Sequence, residues 1–287
     1  MPFTQPPGQS FGKHQGETIN LMRVNRLPVP TSAALEEGTR IPIDKLTLDN
    51  RAITVTEFGR GVEYTSLAED LGMFAPSNYV QKELMRQMHF SVDASAAAAF
   101  KSTDAKVIFI PTSSTGGTFD TDGTPSTVAS AQFSFAHAGV IADYLAGDIH
   151  CPPYVGDNYM GLSTRKTLRG LKNDNLLQQV HLYLRQGDFF FRGEVGMTEN
   201  IRWVQIDLET SLSNSAGTST TIGEGFVFGD EAVARVEVEP PHLRADPNWQ
   251  SDFGRTKAVA WYGIYAFATF FQVATDGFAR IVRIDSA

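Results

Sequence analysis

The sequence predicts a mixed α+β fold, and three features support this prediction. A long helical pattern occurs at 77–102, runs with strand-like alternation lie on both sides of it, and polar loops rich in Ser, Thr and Gly separate them. The composition is that of a folded protein, since 42% of the 287 residues are hydrophobic and 20% are charged. No internal repeat is visible, so a repeat architecture is not expected.

The N-terminal region is predicted to reach away from the body of the protein. Residues 1–17 are rich in Pro, Gly and Gln and are interpreted as an extended arm. Strand-like alternation follows at 18–30 and 51–65, with a polar stretch punctuated by Gly and Pro between them. We interpret 18–65 as an extended hairpin. Because this hairpin has little apolar surface of its own to bury, it is expected to need a partner surface.

The clearest helix is predicted at 77–102, where Pro76 and Ser77 supply a start signal and a candidate N-cap. At roughly 1.5 Å per residue, this helix would be a rod about 36 Å long. The small side chains at 96–99 would let a sheet approach it closely. Its apolar stripe has helical spacing and consists of Val80, Leu84, Met88, Val92, Ala96 and Ala99.

The remaining pattern alternates strands, helices and polar loops. We predict strands at 105–111, 201–209 and 231–241, a helix at 131–148, a strand followed by a helix at 159–180, and polar loops at 112–131 and 211–225.

Residues 258–275 form an uncharged run of 18 residues, which is near the lower limit for a membrane-spanning helix. Polar residues interrupt the run, and its aromatic residues are spread throughout instead of lying at the two ends. A strand-like alternation follows at 281–284. We therefore interpret the run as a buried strand and a connection, and we expect no membrane partner.

The charge is unevenly distributed along the chain. The formal net charge is −8, but residues 1–51 carry six basic and five acidic side chains, so the remainder carries −9. A slightly basic head and an acidic body are consistent with an arm laid over neighbouring copies, although chance explains the difference equally well.

No basic patch with interleaved aromatic residues is found, which argues against sequence-specific nucleic-acid binding. The single cysteine, Cys151, excludes an intrachain disulfide, and no secretion signal is visible, so synthesis in a reducing cytoplasm is expected.

Motifs for phosphate binding fail on spacing. In "GQSFGKH", Gly8 lies one residue too close to Gly12 and Lys13, no Ser or Thr follows the lysine, and no strand precedes the loop. In "GEGFVFG", at 223–229, the third glycine is misplaced, and a turn is the better interpretation.

Candidate metal ligands are also weak. Asp120 and Asp122 have calcium-loop spacing, but position twelve of such a loop would be Ala131, so a solvated turn is favoured over adventitious cation binding. His150 adjoins Cys151, and neighbouring side chains cannot easily reach one metal. His137 is interpreted as a core or interface histidine.

Catalytic patterns are missing from the sequence. No Gly-x-Ser-x-Gly elbow occurs, and Glu63, Glu69 and Asp70 are no better as an acid–base pair than the other carboxylates. We therefore predict no catalytic, cofactor-binding or metal-binding residues, no cofactor and no enzymatic activity. A soluble α+β hydrolase is the enzyme alternative.

Four stretches in order resemble the major capsid proteins of tailed double-stranded DNA bacteriophages with the Hong Kong 97-like fold, and in particular those of N-four-like podophages. They cover roughly residue 50 to the end and leave the N-terminal arm unmatched. They are "ITVTEFGRGVEYTSLAED" (53–70), "YMGLSTRKTLRGLKND" (159–174), "FFFRGEVGMTENIRWVQID" (189–207) and "DFGRTKAVAWYGIYAFATFFQVATDGFARIVRIDSA" (252–287).

This resemblance implies a domain organisation. The arm at 1–17 would be followed by the extended hairpin loop at 18–65. A peripheral domain at 66–128 would contain the spine helix, an axial domain would cover 129–230, and the strands of 231–287 would return to the peripheral domain.

The resemblance also implies a function and partners. The chain would assemble with itself, as hexamers and pentamers, into an icosahedral shell around a phage genome, located in the virion capsid after synthesis in the host bacterial cytoplasm. Portal and scaffolding proteins would be partners, with decoration proteins as a further class and packaged DNA nearby. Lys45 lies where some relatives form covalent crosslinks, but no asparagine partner is indicated. The shell of a bacterial nanocompartment is the alternative.

Overall fold

A computed structural model describes residues 18–24, 27, 34–35, 37–38, 40–72, 76–102, 104–175, 177, 194–206, 213–214, 222–246, 255–271 and 279–287. The predicted arm at 1–17 and the Gly8–Lys13 motif lie outside these residues.

Helices and strands alternate along the chain, which confirms the predicted α+β class. Their bounds are β1 Thr18–Val24, β2 Leu48–Thr54, β3 Thr56–Thr65, α1 Ser66–Leu71, α2 Pro76–Phe100, β4 Val107–Pro111, β5 Gly117–Asp120, α3 Phe135–Asp143 with a π-helical continuation Tyr144–Asp148, β6 Tyr159–Ser163, α4 Arg165–Asn173, β7 Glu194–Thr198, β8 Ile201–Gln205, β9 Ser213–Asn214, β10 Ile222–Phe228, β11 Val233–Asp246, β12 Thr256–Thr269 and β13 Ile281–Ser286.

The predicted hairpin is present, but its second strand is shorter than expected. β1 pairs antiparallel with β2, from Thr18 opposite Thr54 to Val24 opposite Leu48. The strand predicted at 51–65 is interrupted at Val55, and its second half, β3, pairs with β12 instead. The reason is that β12 supplies a long apolar partner for β3, whereas β1 is only seven residues long.

A three-stranded sheet in the order β11-β12-β3 packs against the long helix α2. Leu84 and Met88 of the helix are buried against Val259 and Trp261 of β12. The Trp261 indole N–H donates to the Gln87 side-chain oxygen at 3.3 Å. The helix predicted at 77–102 and the buried strand predicted within 258–275 are both confirmed.

A larger, eight-stranded sheet has the order β5-β4-β13-β10-β6-β8-β7, with β9 paired to β10. The β4–β13 and β6–β8 pairs are parallel, and the others are antiparallel. β4 and β13 come from segments that the resemblance assigns to the peripheral domain, yet β13 pairs with β10, which lies within 129–230, and joins β4 to the same sheet. The limits of this sheet therefore differ from the predicted domain limits, because strand pairing joins segments that are distant in sequence.

Both faces of the large sheet are covered. On one face, α3 and α4 contribute Ile141, Leu145, Leu168 and Leu171 to a core that also contains Trp203. On the other face, the C-terminal end of α2 packs Ala97, Ala99 and Phe100 onto the sheet. The Phe100 ring lies 5.5 Å from that of Phe226 and 5.2 Å from that of Phe228, measured between centroids. One helix thus contacts both sheets.

A buried ionic cluster lies beside this helix end. The Arg283 guanidinium donates to Glu224 at 3.0 Å and to Asp285 at 2.9 and 3.2 Å, and the Lys101 ammonium lies 3.1 Å from the second Glu224 oxygen. Burial raises the pKa of Glu224 and of Asp285, while Arg283 and Lys101 oppose the rise. Lys101 follows α2, so the cluster connects the helix end to β10 and β13.

Several predicted bounds need correction. The helix expected at 131–148 begins at Phe135, because Ser134 is extended as its N-cap. The turn expected at 223–229 and the end of the loop expected at 211–225 belong to β10, which pairs with β6 and β13. The loop expected at 112–131 contains β5, and β11 extends beyond the strand predicted at 231–241. Residues 207–209 of the strand predicted at 201–209 lie outside the described residues.

Within the described ranges, none of the helices has both the length and the apolarity needed to cross a bilayer.

Gly223 allows α4 to pack directly against the start of β10. A Cβ at this position would lie 2.5 Å from the backbone nitrogen of Thr167. We predict that Gly223→Ala lowers the free energy of unfolding by about 1–3 kcal/mol, because the clash is with backbone and cannot relax by a rotamer change. Urea denaturation measures this change in the free energy of unfolding. Gly147→Ala is the control: nothing lies within 4 Å of its Cβ, so an equal loss there would contradict the steric explanation.

His137 is buried and held as the neutral tautomer. The Ser134 backbone N–H donates to Nδ1 at 3.0 Å, and the Nε2–H donates to the Ser113 carbonyl oxygen at 2.9 Å. Burial lowers its pKa from the ordinary value of 6.5. The folded state favours the neutral imidazole. The contribution of His137 to stability is therefore complete above the pKa of this histidine in the unfolded chain, and it is lost as the pH falls below that pKa.

We therefore predict that acidification from about pH 7.5 to about pH 5.5 destabilises the wild type more than the His137→Gln variant, which keeps a neutral acceptor for Ser134. The difference in slope cannot exceed about 1.4 kcal/mol per pH unit, the limit for one proton. Urea midpoints at the two pH values measure it, and identical slopes would show that His137 does not titrate as described.

Candidate assembly surface

The exposed apolar side chains are concentrated in the first third of the chain. Among the described residues, all the exposed large apolar side chains except Val155 and Met197 lie between Met22 and Phe90. Large exposed apolar patches usually mark contacts with other chains. We therefore consider the hairpin, α1 and the outer side of α2 as one candidate assembly surface.

The base of the hairpin is fixed to the body. Leu21 and Ile53 are buried against Ala234 and Val236 of β11. Arg23 is largely covered and donates to Asp49 at 3.2 Å and to the Phe270 carbonyl oxygen at 3.4 Å.

A second ion pair, between Arg51 and Asp104 at 2.6 Å, links β2 to the segment after α2. Apolar contacts and charges therefore set the direction in which the hairpin leaves the body.

The tip of the hairpin has no such support. The described residues between β1 and β2 are all exposed, and they include Leu35, Ile41, Ile43 and Leu46. Ile43 is 71% exposed, so most of its apolar area remains in contact with water within the chain. Lys45, the residue considered for crosslinking, is also exposed on this tip.

The adjoining elements extend the same surface. β3 is an edge strand of the three-stranded sheet, and its outer side exposes Val62. An unpaired strand edge can accept a strand from another chain. Leu71, at the end of α1, is 77% exposed, and α2 exposes Tyr79, Met85 and Phe90.

The residues considered for chemistry have structural partners. Asp120 accepts hydrogen bonds from the Ser126 backbone and hydroxyl at 2.8 Å, and Asp122 accepts from the Thr124 backbone at 2.8 Å. The Thr124 hydrogen bonds lower the pKa of Asp122. These contacts support the interpretation of the segment as a turn.

The three carboxylates considered as an acid–base pair lie in β3 and α1, near the start of β12. Glu69 forms an ion pair with Lys257, Asp70 lies in α1, and Glu63 lies in β3 opposite Ala258. This arrangement places Glu69 in a link between α1 and β12.

His150 and Cys151 also serve the fold. His150 bonds through Nδ1 to the Ala146 carbonyl oxygen at 2.9 Å. Cys151 is buried, and burial raises the pKa of its thiol to about 11, far from that of a reactive cysteine.

No cluster of three or more potential metal-ligating side chains occurs in the described part of the chain. One shallow crevice is bounded by Phe100, Tyr154, Phe228 and Val233, and it encloses no room for a substrate.

Two charged features escaped the sequence analysis. The buried cluster of Glu224, Arg283 and Asp285 could have been suspected from charged residues inside strongly apolar strands. The exposed basic side of α4 could have been found from its sequence, "RKTLRGLKN", which has four basic residues and no acidic one. The chain after residue 51 has a net negative charge, and this total does not reveal the local group of basic side chains in α4.

Ile53 provides a test of how firmly the hairpin is held. We predict that Ile53→Ala increases amide hydrogen exchange in β1 and β2 at least tenfold, since truncation of a buried isoleucine costs about 2–5 kcal/mol. Amides of β12 serve as the internal reference for global opening. Ile43→Ala, at the exposed tip, should leave exchange unchanged. Equal exchange in both variants would mean that Ile53 does not anchor the hairpin.

No known family model and no curated protein matches the sequence. Solved structures do match. The capsid asymmetric unit of cyanophage Pam1 is 16% identical, with 95% of this chain and 86% of that chain covered and a TM-score of 0.69. The acid-stable capsid structure of Helicobacter pylori bacteriophage KHP30 is 12% identical, with 96% and 86% covered and a TM-score of 0.68.

The capsid of Ralstonia phage GP4 is 14% identical, with 94% of this chain and 83% of that chain covered and a TM-score of 0.65. At such low identity the likeness concerns the fold. It extends over nearly the whole chain and includes both sheets and the helix that joins them. The chain therefore has the Hong Kong 97-like fold of phage capsid proteins.

Proposed function

We propose that this chain is a major capsid protein, which assembles with itself as hexamers and pentamers into the icosahedral shell around a phage double-stranded DNA genome. The observation that carries this proposal is the likeness to phage capsid structures over 94–96% of the chain. A structural role, without catalysis, follows from that likeness.

The candidate assembly surface supports the proposal independently. A shell subunit must bury large areas against its neighbours, of order 2,000 Å² or more for an obligate interface. The hairpin tip and the exposed sides of β3, α1 and α2 are apolar surfaces that remain uncovered within the chain. Neighbouring copies would cover them.

The domain assignments remain part of the proposal. The arm at 1–17 and the hairpin loop at 18–65 would lie over adjacent subunits, 66–128 and 231–287 would form the peripheral domain, and 129–230 would form most of the axial domain. Because β4 and β13 pair within the large sheet, we assign these two strands to the axial domain in refining this division. Portal, scaffolding and decoration proteins are proposed as partners, and the virion capsid, after synthesis in the host cytoplasm, as the location.

The direct test is electron microscopy and light scattering of the protein expressed in bacteria, with and without a candidate scaffolding protein. Closed shells, or pentamers and hexamers, are expected. A persistent monomer under both conditions would contradict the proposal. Shells that consistently contain an enzyme as cargo, and no nucleic acid when purified from phage-infected cells, would indicate a nanocompartment.

The hairpin tip allows a residue-level prediction. Replacing Ile41, Ile43 and Leu46 together by Ser should abolish shells while the chain stays folded, because each buried aliphatic side chain contributes about 1.5–3 kcal/mol to a contact. The conservative variant with Val, Val and Ile at these positions is the matched control and should still assemble. Sedimentation velocity measures both, and normal shells from the serine variant would exclude the tip as a subunit contact.

A further inference from the structure

Helix α4 presents four basic side chains to solvent, Arg165, Lys166, Arg169 and Lys172, and we name the pair Lys166 and Arg169 the basic face. The opposite side buries Leu168 and Leu171 in the core. Lys172 donates to the Gln205 side-chain oxygen at 3.0 Å. Among the described residues, no carboxylate forms an ion pair with Lys166 or Arg169.

The basic face destabilises its own helix. Lys166 and Arg169 are three residues apart, so like charges face each other at a cost of about 0.2–0.5 kcal/mol. Lys166 also lies in the first turn, where the helix dipole is positive. A negative surface from outside the helix would remove these costs.

An acidic surface lies elsewhere on the same sheet. Exposed carboxylates lie in the turns directly before β6 and β8, and we name this pair the acidic end: Asp157 and Glu199. The Tyr159 backbone N–H donates to the Asn200 carbonyl oxygen at 2.8 Å, which brings the turns that carry Asp157 and Glu199 together. Two basic residues lie nearby: Arg202 is the second residue of β8, and Arg280 is turned onto the Phe271 ring, 4.5 Å from its centroid.

The two surfaces lie at opposite ends of the sheet. β6 and β8 are parallel, and both begin at the acidic end. α4 follows the last residue of β6 after Thr164, and its Lys172 bonds to the last residue of β8. Five residues of strand span roughly 16 Å, so the basic face cannot reach the acidic end of its own chain. A neighbouring copy can supply the complement.

We propose that the basic face of one copy docks on the acidic end of the next copy, head to tail, around each ring of subunits. Two different surfaces that meet in this way form a heterologous contact, which closes into a ring when the rotation permits. This inference rests on the proposed capsid function. It goes further by naming the charged residues that set the direction of subunit contact in a chain with net charge −8.

A second copy explains the observations better than nucleic acid does. Phosphates would complement the basic face, but they would leave the acidic end without a counterpart. The next copy accounts for both surfaces at once, and complementary charges also suppress wrongly oriented contacts.

The test is a reciprocal charge exchange, K166E/R169E and D157K/E199K. All four positions are exposed, so both double variants should fold, which circular dichroism and thermal unfolding check. Each double variant is expected to lower shell yield at least about tenfold, because like charges then meet across the contact. The quadruple variant, in which attraction is restored with reversed sign, should recover most of the yield.

Mixing the two folded double variants gives a sharper readout. In this mixture, opposite charges meet only where a K166E/R169E subunit contacts a D157K/E199K subunit. The two variants must therefore alternate around a ring. Six-membered rings satisfy alternation and five-membered rings cannot, so hexamers should form without pentamers. Native mass spectrometry distinguishes the two.

The outcomes separate the inference from the proposed function. Wild-type shells together with a quadruple variant as defective as the doubles would overturn only the inference. Normal shells from K166E/R169E that retain less DNA would assign the basic face to nucleic acid and would also overturn it. Failure of the wild type to assemble under any condition would contradict the proposed function and, with it, the inference.

Discussion

The architecture depends on the contact of one helix with two sheets. α2 packs Leu84 and Met88 on the three-stranded sheet and Phe100 on the large sheet, so it fixes the two sheets relative to each other. Small residues at 96–99 make the second contact close, and the buried charges of Lys101, Glu224 and Arg283 add directional bonds where it ends. Removing one partner of such a buried ion pair is strongly destabilising, which makes this junction intolerant of substitution.

The exposed surface divides into two kinds of contact. The hairpin tip, β3, α1 and α2 expose apolar side chains, which supply binding free energy but little orientation. The large sheet instead exposes opposite charges at its two ends, which supply orientation but little free energy. A subunit that must join several copies in fixed geometry requires both kinds, and this chain separates them spatially.

Sequence reasoning succeeded where structure is local. α2 and β12 were predicted because helical spacing and an uninterrupted apolar run are visible within one segment. It failed where pairing is long-range: the change of partner at Val55 depends on β12, two hundred residues later. The alternation of Arg283 with apolar residues does not indicate that β13 is buried on both sides, and only the tertiary fold shows that Glu224 neutralises this charge inside the protein. The assembly surface could be anticipated from the hairpin, whereas the basic face required knowing which residues of α4 are exposed.

The position of β13 has a consequence for biosynthesis. This strand is translated last among those described, yet it lies between β4 and β10, and β4 and β5 join the rest of the sheet only through it. A nascent chain on the ribosome therefore cannot complete this sheet until 281–286 have emerged. Such late, long-range pairing is slow, and we expect the large sheet to close only after β13 has been synthesised. Translation products that end before Ile281 would lack a continuous sheet.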